Sequence, residues 1–190
     1  MDKKLPIPDY IMKIRQKELL YDEAVERILG TNGIVSAPIA VVKIANSFGF
    51  GVCTAVLNHG GTDIISVMAD SAIPQSIFRE QREIIVNAEI SPADQQFAVA
   101  HEIAHFVMHC SENEDFFEKN VFSSRKSDME KAADDFALRL VMPTWMLRGF
   151  IMGLPPRMRR GEMVHAIAWT FCVSDEMAER RLIEVGYGLE

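Results

Sequence analysis

Apolar and polar positions alternate along this chain with two different periods, and the switches between them outline the elements. Asp9 to Leu29 repeats at helical spacing and runs out at Gly30, with Thr31-Asn32-Gly33 reading as a turn. Ser36 is a candidate cap for a helix reaching Ala45–Ser47, closed by Gly49. Phe50–Leu57 and Thr62–Ala69 read as a hairpin around Asn58-His59-Gly60-Gly61, and Glu83–Asn87 completes a three-stranded sheet. The period then becomes helical. Ser91-Pro92-Ala93-Asp94 offers an N-cap serine, a proline at the first helical position and an acid in the first turn, and the helix runs to His109 or Cys110. Ser127 to Val141 carries apolar residues at Ala133, Phe136, Ala137, Leu140 and Val141, again at helical spacing. Two further helices follow, Gly161–Phe171 and Asp175–Glu184, separated by Cys172-Val173 and with Ser174 as the cap of the second. The expected class is α+β: a small antiparallel sheet packed against one central helix, with additional N- and C-terminal helices.

That central helix carries the chemistry. His101-Glu102-Ile103-Ala104-His105 reads H-E-x-x-H, and two His four residues apart lie one turn apart on one face, where both imidazoles reach one metal ion. Glu102 then stands beside the same site as a general base for a metal-activated water. The alternative, two polar His on a solvated helix, is disfavoured by the flanks. Phe97 to Ala100, Ile103, Ala104 and Phe106 to Met108 are all apolar, so the helix is expected to be buried on most faces. Buried imidazoles and a carboxylate are costly unless something pairs them, and a cation does that.

His109 continues the stripe but is not expected to be a ligand with His101. Eight residues span about 12 Å along a helix, whereas ligand nitrogens lie about 2 Å from zinc. It is a candidate for orienting a ligand or stabilising an oxyanion. The third ligand must come from elsewhere, and Glu130 with Asp134 one turn later is the best pair: Glu130 on the metal, Asp134 on the outer nitrogen of a ligand His. Ser127-x-x-Glu130 is also a capping box, in which Glu130 only holds the helix start, and spacing alone weighs the two equally.

From Ile85 to Pro143 the chain resembles the ImmA/IrrE family of intracellular zinc metallopeptidases. The matching pieces are Ile85-Val86-Asn87, Ser91-Pro92, Phe97 through His105 with His109 after it, and Glu130-x-x-Ala133-Asp134-x-Phe136-Ala137-x-x-Leu140-Val141-Met142-Pro143. Asp134 stands where the family usually has Asn, and Val141 where it has Leu. The resemblance implies His101, His105 and Glu130 as zinc ligands and Glu102 as catalytic base. It also implies site-specific cleavage of a regulator, typically a helix-turn-helix repressor of a phage, mobile element or stress system.

Composition narrows the remaining options. The chain has 190 residues, 48% of them hydrophobic, enough for one domain with helical appendages. The expected division is an N-terminal helical segment (1–30), a zincin-like metallopeptidase domain (31–150) and a C-terminal helical segment (151–190). A net charge of −7 argues against sequence-independent nucleic-acid binding by the whole chain. The N-terminus lacks an apolar signal core, and the uncharged stretch from Ile44 to Thr62 is broken by glycines. Three scattered cysteines, Cys53, Cys110 and Cys172, fit reduced thiols, so a cytoplasmic location is expected.

Other features are weaker. His109, His165, Tyr187 and Arg139 are candidate oxyanion donors among which the sequence does not choose. Residues 111–126, with Glu112, Glu114, Asp115 and Glu118, read as a solvated connection or an active-site rim favouring basic substrates. Ala168-x-x-Phe171-x-Val173-Ser174 resembles a helix-turn-helix with Arg148, Arg157, Arg159, Arg160, Arg180 and Arg181 around it. DNA contact is disfavoured because the second helix opens with Asp175 and Glu176. Met142, Met146, Met152, Met158 and Met163 read mostly as core, with a docking surface as the alternative. Alternatives to the peptidase are a non-proteolytic metal-binding regulator and a toxin–antitoxin component.

Overall fold

The structure, a computed structural model, describes residues 9–15, 20–56, 58–59, 62–63, 66–69, 83–109 and 128–187. Residues 111–126, Ser127 and Cys110 lie outside them, so the acidic connection and the serine half of the proposed capping box are not described.

Among the described residues the order is α1 (Asp9–Arg15), α2 (Tyr21–Thr31), α3 (Val41–Ser47), β1 (Gly51–Ala55), β2 (Asn58–His59), β3 (Thr62–Asp63), β4 (Ser66–Ala69), β5 (Glu83–Asn87), α4 (Pro92–His109), α5 (Asp128–Val141), α6 (Thr144–Met152), α7 (Arg160–Phe171) and α8 (Asp175–Glu184). The class is α+β, as expected. The sheet is not purely antiparallel. β5 lies between β1 and β4, parallel to β1 and antiparallel to β4. The expected hairpin survives only at its tip, where β2 pairs antiparallel with β3. The reason is burial: every residue of β5 is buried, and an all-buried strand belongs in the centre of a sheet. β5 is therefore central, and among the described residues the edges of the sheet are β1 and β4.

The first helical stretch is two helices, because Leu20 is extended (φ −69°, ψ 152°) where α2 begins. α2 also ends later than Gly30 suggests. Gly33, at φ 62°, takes the left-handed position, and Ile34 N–H reaches back to the Leu29 carbonyl at 2.9 Å. α3 starts at Val41 with Ala40 at its N-cap, so Ser36 caps nothing there. Its end is as expected: Gly49 adopts φ 85° and Phe50 N–H returns to the Ala45 carbonyl at 3.0 Å.

α4 is the central element. Ser91 Oγ accepts the Asp94 N–H at 3.1 Å and donates to Asp94 Oδ2 at 2.7 Å, which fixes the helix start. Gln95 reaches back to the Asn87 and Ile90 carbonyls at 3.4 and 3.2 Å, tying that start to the end of β5. Ala98, Val99, Ala100, Ile103, Ala104, Phe106 and Val107 are buried, with Phe106 against Phe48 and Phe50. α5 packs along α4, its residues Ala133, Phe136, Ala137 and Leu140 are buried, and α1 and α2 pack on the pair, with Tyr21 of α2 against Phe136. One hydrophobic core runs from Ile11 of α1 to Val185 after α8.

Candidate metal centre

α4 is continuous from Pro92 to His109, so His101 and His105 stand one turn apart. Their Nε2 atoms approach to 2.9 Å. Glu130, in the first turn of α5, spans the two: its carboxylate oxygens lie 3.3 Å from His101 Nε2 and 3.4 Å from His105 Nε2. One ligand-type atom from each of the three residues lies within 4.8 Å of the others. Asp134, one turn further along α5, places Oδ1 3.0 Å from His101 Nδ1. Of the two readings of Glu130, the geometry therefore favours the one that faces the imidazoles.

The protonation pattern of this cluster suits a cation. Asp134 Oδ1 stands where it accepts a His101 Nδ1–H, and in the neutral ring with that tautomer Nε2 keeps its lone pair. That lone pair points where the His105 ring nitrogen and the Glu130 oxygens also point. With both rings neutral and Nε2 unprotonated these atoms are converging acceptors, which a cation would pair, and a His₂Glu set is a zinc-type donor set. The acids act on His101 as well. Burial lowers its pKa, but the hydrogen bond to Asp134 and the charges of Glu102, Asp134 and Glu130 outweigh that and hold it above the ordinary imidazole value. Glu102 is half-buried, next to His101 on α4.

The other sequence candidates fall elsewhere. His109 closes α4, and its side chain lies outside the described residues. Arg139 pairs with Asp22 at 3.3 Å and Glu184 at 3.8 Å. His165 is exposed, with Asp175 at 3.6 Å. Tyr187 follows α8 and is 40% exposed. No described contact brings these three to the cluster.

Three of the six arginines around the helix-turn-helix-like segment are committed to other residues. Arg181 is buried. It donates to the Met142 carbonyl at 3.1 Å, Thr144 Oγ1 at 2.6 Å and Glu184 at 3.0 Å. Arg180 pairs with Asp135 and Glu184, and Arg160 with Glu179. Arg181 is thus a corner of a polar cluster joining α2, α5, α6 and α8, a role sequence reasoning missed. The signal was present: Ala178, Arg181, Leu182 and Val185 form one apolar stripe, with Arg181 inside it. Gln96 was also missed; its amide donates to the Phe171 carbonyl at 2.8 Å and docks α4 on the end of α7.

A small sheet beside an H-E-x-x-H helix, with an acid of the next helix facing both imidazoles, is an arrangement that could hold a metal ion. The chain belongs to the IrrE N-terminal-like domain family (Peptidase_M78), whose pattern it matches over residues 57–183. Among curated proteins, it is 30% identical over 70 residues to "Uncharacterized immunity region protein 2" of Bacillus phage phi105, covering 36% of this chain and 43% of that protein. Among solved structures, a Mycobacterium tuberculosis transcriptional regulator shares the fold at a TM-score of 0.54 and 13% identity, over 92% of this chain and 51% of that one. The chain spans about half the length, or less, of these two relatives.

Proposed function

We propose that this chain is a zinc-dependent endopeptidase of the cytoplasm that cleaves a regulatory protein, most simply a helix-turn-helix repressor. The observation that carries the chemistry is the meeting of His101, His105 and Glu130 at one point, with Asp134 behind His101. Family membership supports the peptidase reading, and the relative from a phage immunity region supports a regulatory substrate. In this reading residues 31–150 hold the catalytic unit, and 1–30 and 151–190 pack around it. Among the described residues no helix is long and apolar enough to cross a membrane.

His101, His105 and Glu130 are assigned as the zinc ligands. When bound, zinc polarises water and lowers its pKa toward neutrality. Glu102 takes a proton from the attacking water and returns it to the leaving amine, so the same carboxyl acts first as base and then as acid. Asp134 keeps His101 in the tautomer with a free Nε2 lone pair and fixes the ring's direction.

Glu102→Gln separates chemistry from binding. In cells expressing the wild-type chain, a short set of new protein termini is expected. The variant should abolish them while retaining bound metal. Identical termini in both cells, with the variant folded and metal-loaded, would refute the peptidase and favour a non-proteolytic regulator or a toxin–antitoxin component.

A further inference from the structure

Residues 136–161 contain five arginines and no acid, in a chain whose net charge is −7. Two of the five, Arg139 and Arg160, are engaged by acids of neighbouring helices. Arg148, Arg157 and Arg159 are exposed and take no ion-pair partner among the described residues. They do not stand alone. α6 buries one face through Met146, Leu147 and Ile151 and turns Trp145, Arg148 and Met152 outward at helical spacing. Trp145 is 46% exposed and Met152 is 82% exposed. The chain then turns tightly, with Gly153 N–H on the Phe150 carbonyl and Met158 N–H on the Pro155 carbonyl, both at 3.0 Å. Arg157 and Arg159 therefore follow closely on the outer end of α6.

We propose that this surface, formed by Trp145, Arg148, Met152, Arg157 and Arg159, docks an acidic protein segment that also carries apolar side chains. Three guanidiniums with no ion-pair partner among the described residues, beside one acid at Glu162 whose carboxylate accepts the Arg159 N–H, are a local field that selects an acidic partner. The tryptophan and methionine between them supply apolar contact area, and Trp, Met and Arg are the residue types enriched in protein interfaces. Nucleic acid is the poorer occupant, because three cations neutralise few phosphates and the rest of the chain repels a polyanion. An anionic membrane is a poorer occupant for the same reason, since a chain of net charge −7 is repelled by a surface of like charge. The surface is separate from the metal centre: Glu130 and Val141 stand at opposite ends of α5, eleven residues or about 16 Å apart. The proposal does not depend on the peptidase reading.

The test uses the full chain and a short fluorescent amphipathic helix with Glu on one face and Leu on the other. Fluorescence anisotropy should report salt-sensitive binding. Combined replacement of Arg148, Arg157 and Arg159 by Ala should weaken it by about tenfold or more. Met152→Ser should weaken it by about threefold and reduce the preference for Leu over Ser in the probe. Unchanged circular dichroism and zinc binding in the variants exclude loss of fold. Failure to bind the peptide, or equal binding by the triple variant, would overturn the proposal. So would tighter arginine-dependent binding to duplex DNA or anionic vesicles than to the peptide. Arginine-dependent self-association in sedimentation would overturn it in favour of a second copy.

Discussion

Two helices of this chain carry polar residues in the middle of a buried apolar stripe, and they solve the problem in opposite ways. On α8, Arg181 is 1% exposed and its guanidinium meets the Met142 carbonyl, Thr144 and Glu184, with Asp22 3.9 Å away. Donors meet acceptors there, with Arg139 Nε the one buried donor of the cluster left without a partner among the described residues. On α4, His101 and His105 meet each other and Glu130, and these atoms become converging acceptors once both rings are neutral with Nε2 unprotonated. Burial alone does not mark a functional site. The sign of what is left over does: a set of donors facing acceptors holds helices together, whereas converging acceptors ask for a cation.

The contrast can be broken first at Glu130. Replacing it with Ala removes one of three protein ligands and should lower zinc affinity by about 3–4 kcal/mol, several hundredfold, in a chelator competition. Thermal stability without metal should change little. A variant that keeps wild-type zinc affinity would reduce Glu130 to a helix-start residue.

Arg181→Ala should behave in the reverse manner. It leaves the Met142 carbonyl without its donor, leaves Glu184 to Arg180 and Arg139, and opens a cavity, so urea denaturation should show a loss of about 3 kcal/mol. Zinc affinity of the folded protein should be unchanged. Arg181→Met, which refills the volume, should cost less. Coupled loss of zinc binding would mean that the two clusters are one system.

Asp134 sharpens the comparison, since it touches no metal in the proposed arrangement. Asp134→Ala should weaken zinc binding by about 10- to 100-fold. Asp134→Asn, which keeps an acceptor oxygen for His101 Nδ1, should recover part of that loss.

The pH dependence should follow the acids around His101. Because they hold its pKa above the ordinary imidazole value despite burial, protons compete with metal from a higher pH than at a free histidine. Zinc affinity should therefore fall on acidification, beginning above the usual imidazole range, and proton release should accompany binding. Calorimetry in buffers of different ionisation enthalpy measures both. The smallest effect is expected at the α4 cap, where Ser91→Ala should cost about 1 kcal/mol without moving zinc affinity.

Local patterns were legible wherever covalent neighbours decide the structure. The α4 cap at Ser91-Pro92, the His pair at i and i+4 and the Ser174 cap, whose Oγ accepts Met177 N–H at 3.2 Å, all follow from residues within one or two helical turns. Sheet order was not legible. A period of two identifies a strand but not its neighbour, and the placement of β5 between β1 and β4 depends on contacts far apart in sequence. The arginines misled for the same reason. Arg180 and Arg181 look like neighbouring surface cations, yet Arg180 pairs with Asp135 of α5 while Arg181 is buried.

The sequence by itself determined that one helix would present two imidazoles on one buried face, because 3.6 residues per turn leaves no other outcome for H-E-x-x-H in an apolar run. It also determined the caps at Ser91 and Ser174, but not α6, Thr144–Met152, for which the sequence reading names no element. Only the tertiary structure decided which acid faces those imidazoles. The spacing around Glu130 fits a helix cap and a ligand equally well. What separates them is the packing of α5 along α4, which brings the Glu130 carboxylate to 3.3 Å from His101. Such packing is fixed by apolar surfaces such as Ala133, Phe136, Ala137 and Leu140, whose partners lie dozens of residues away and leave no local trace.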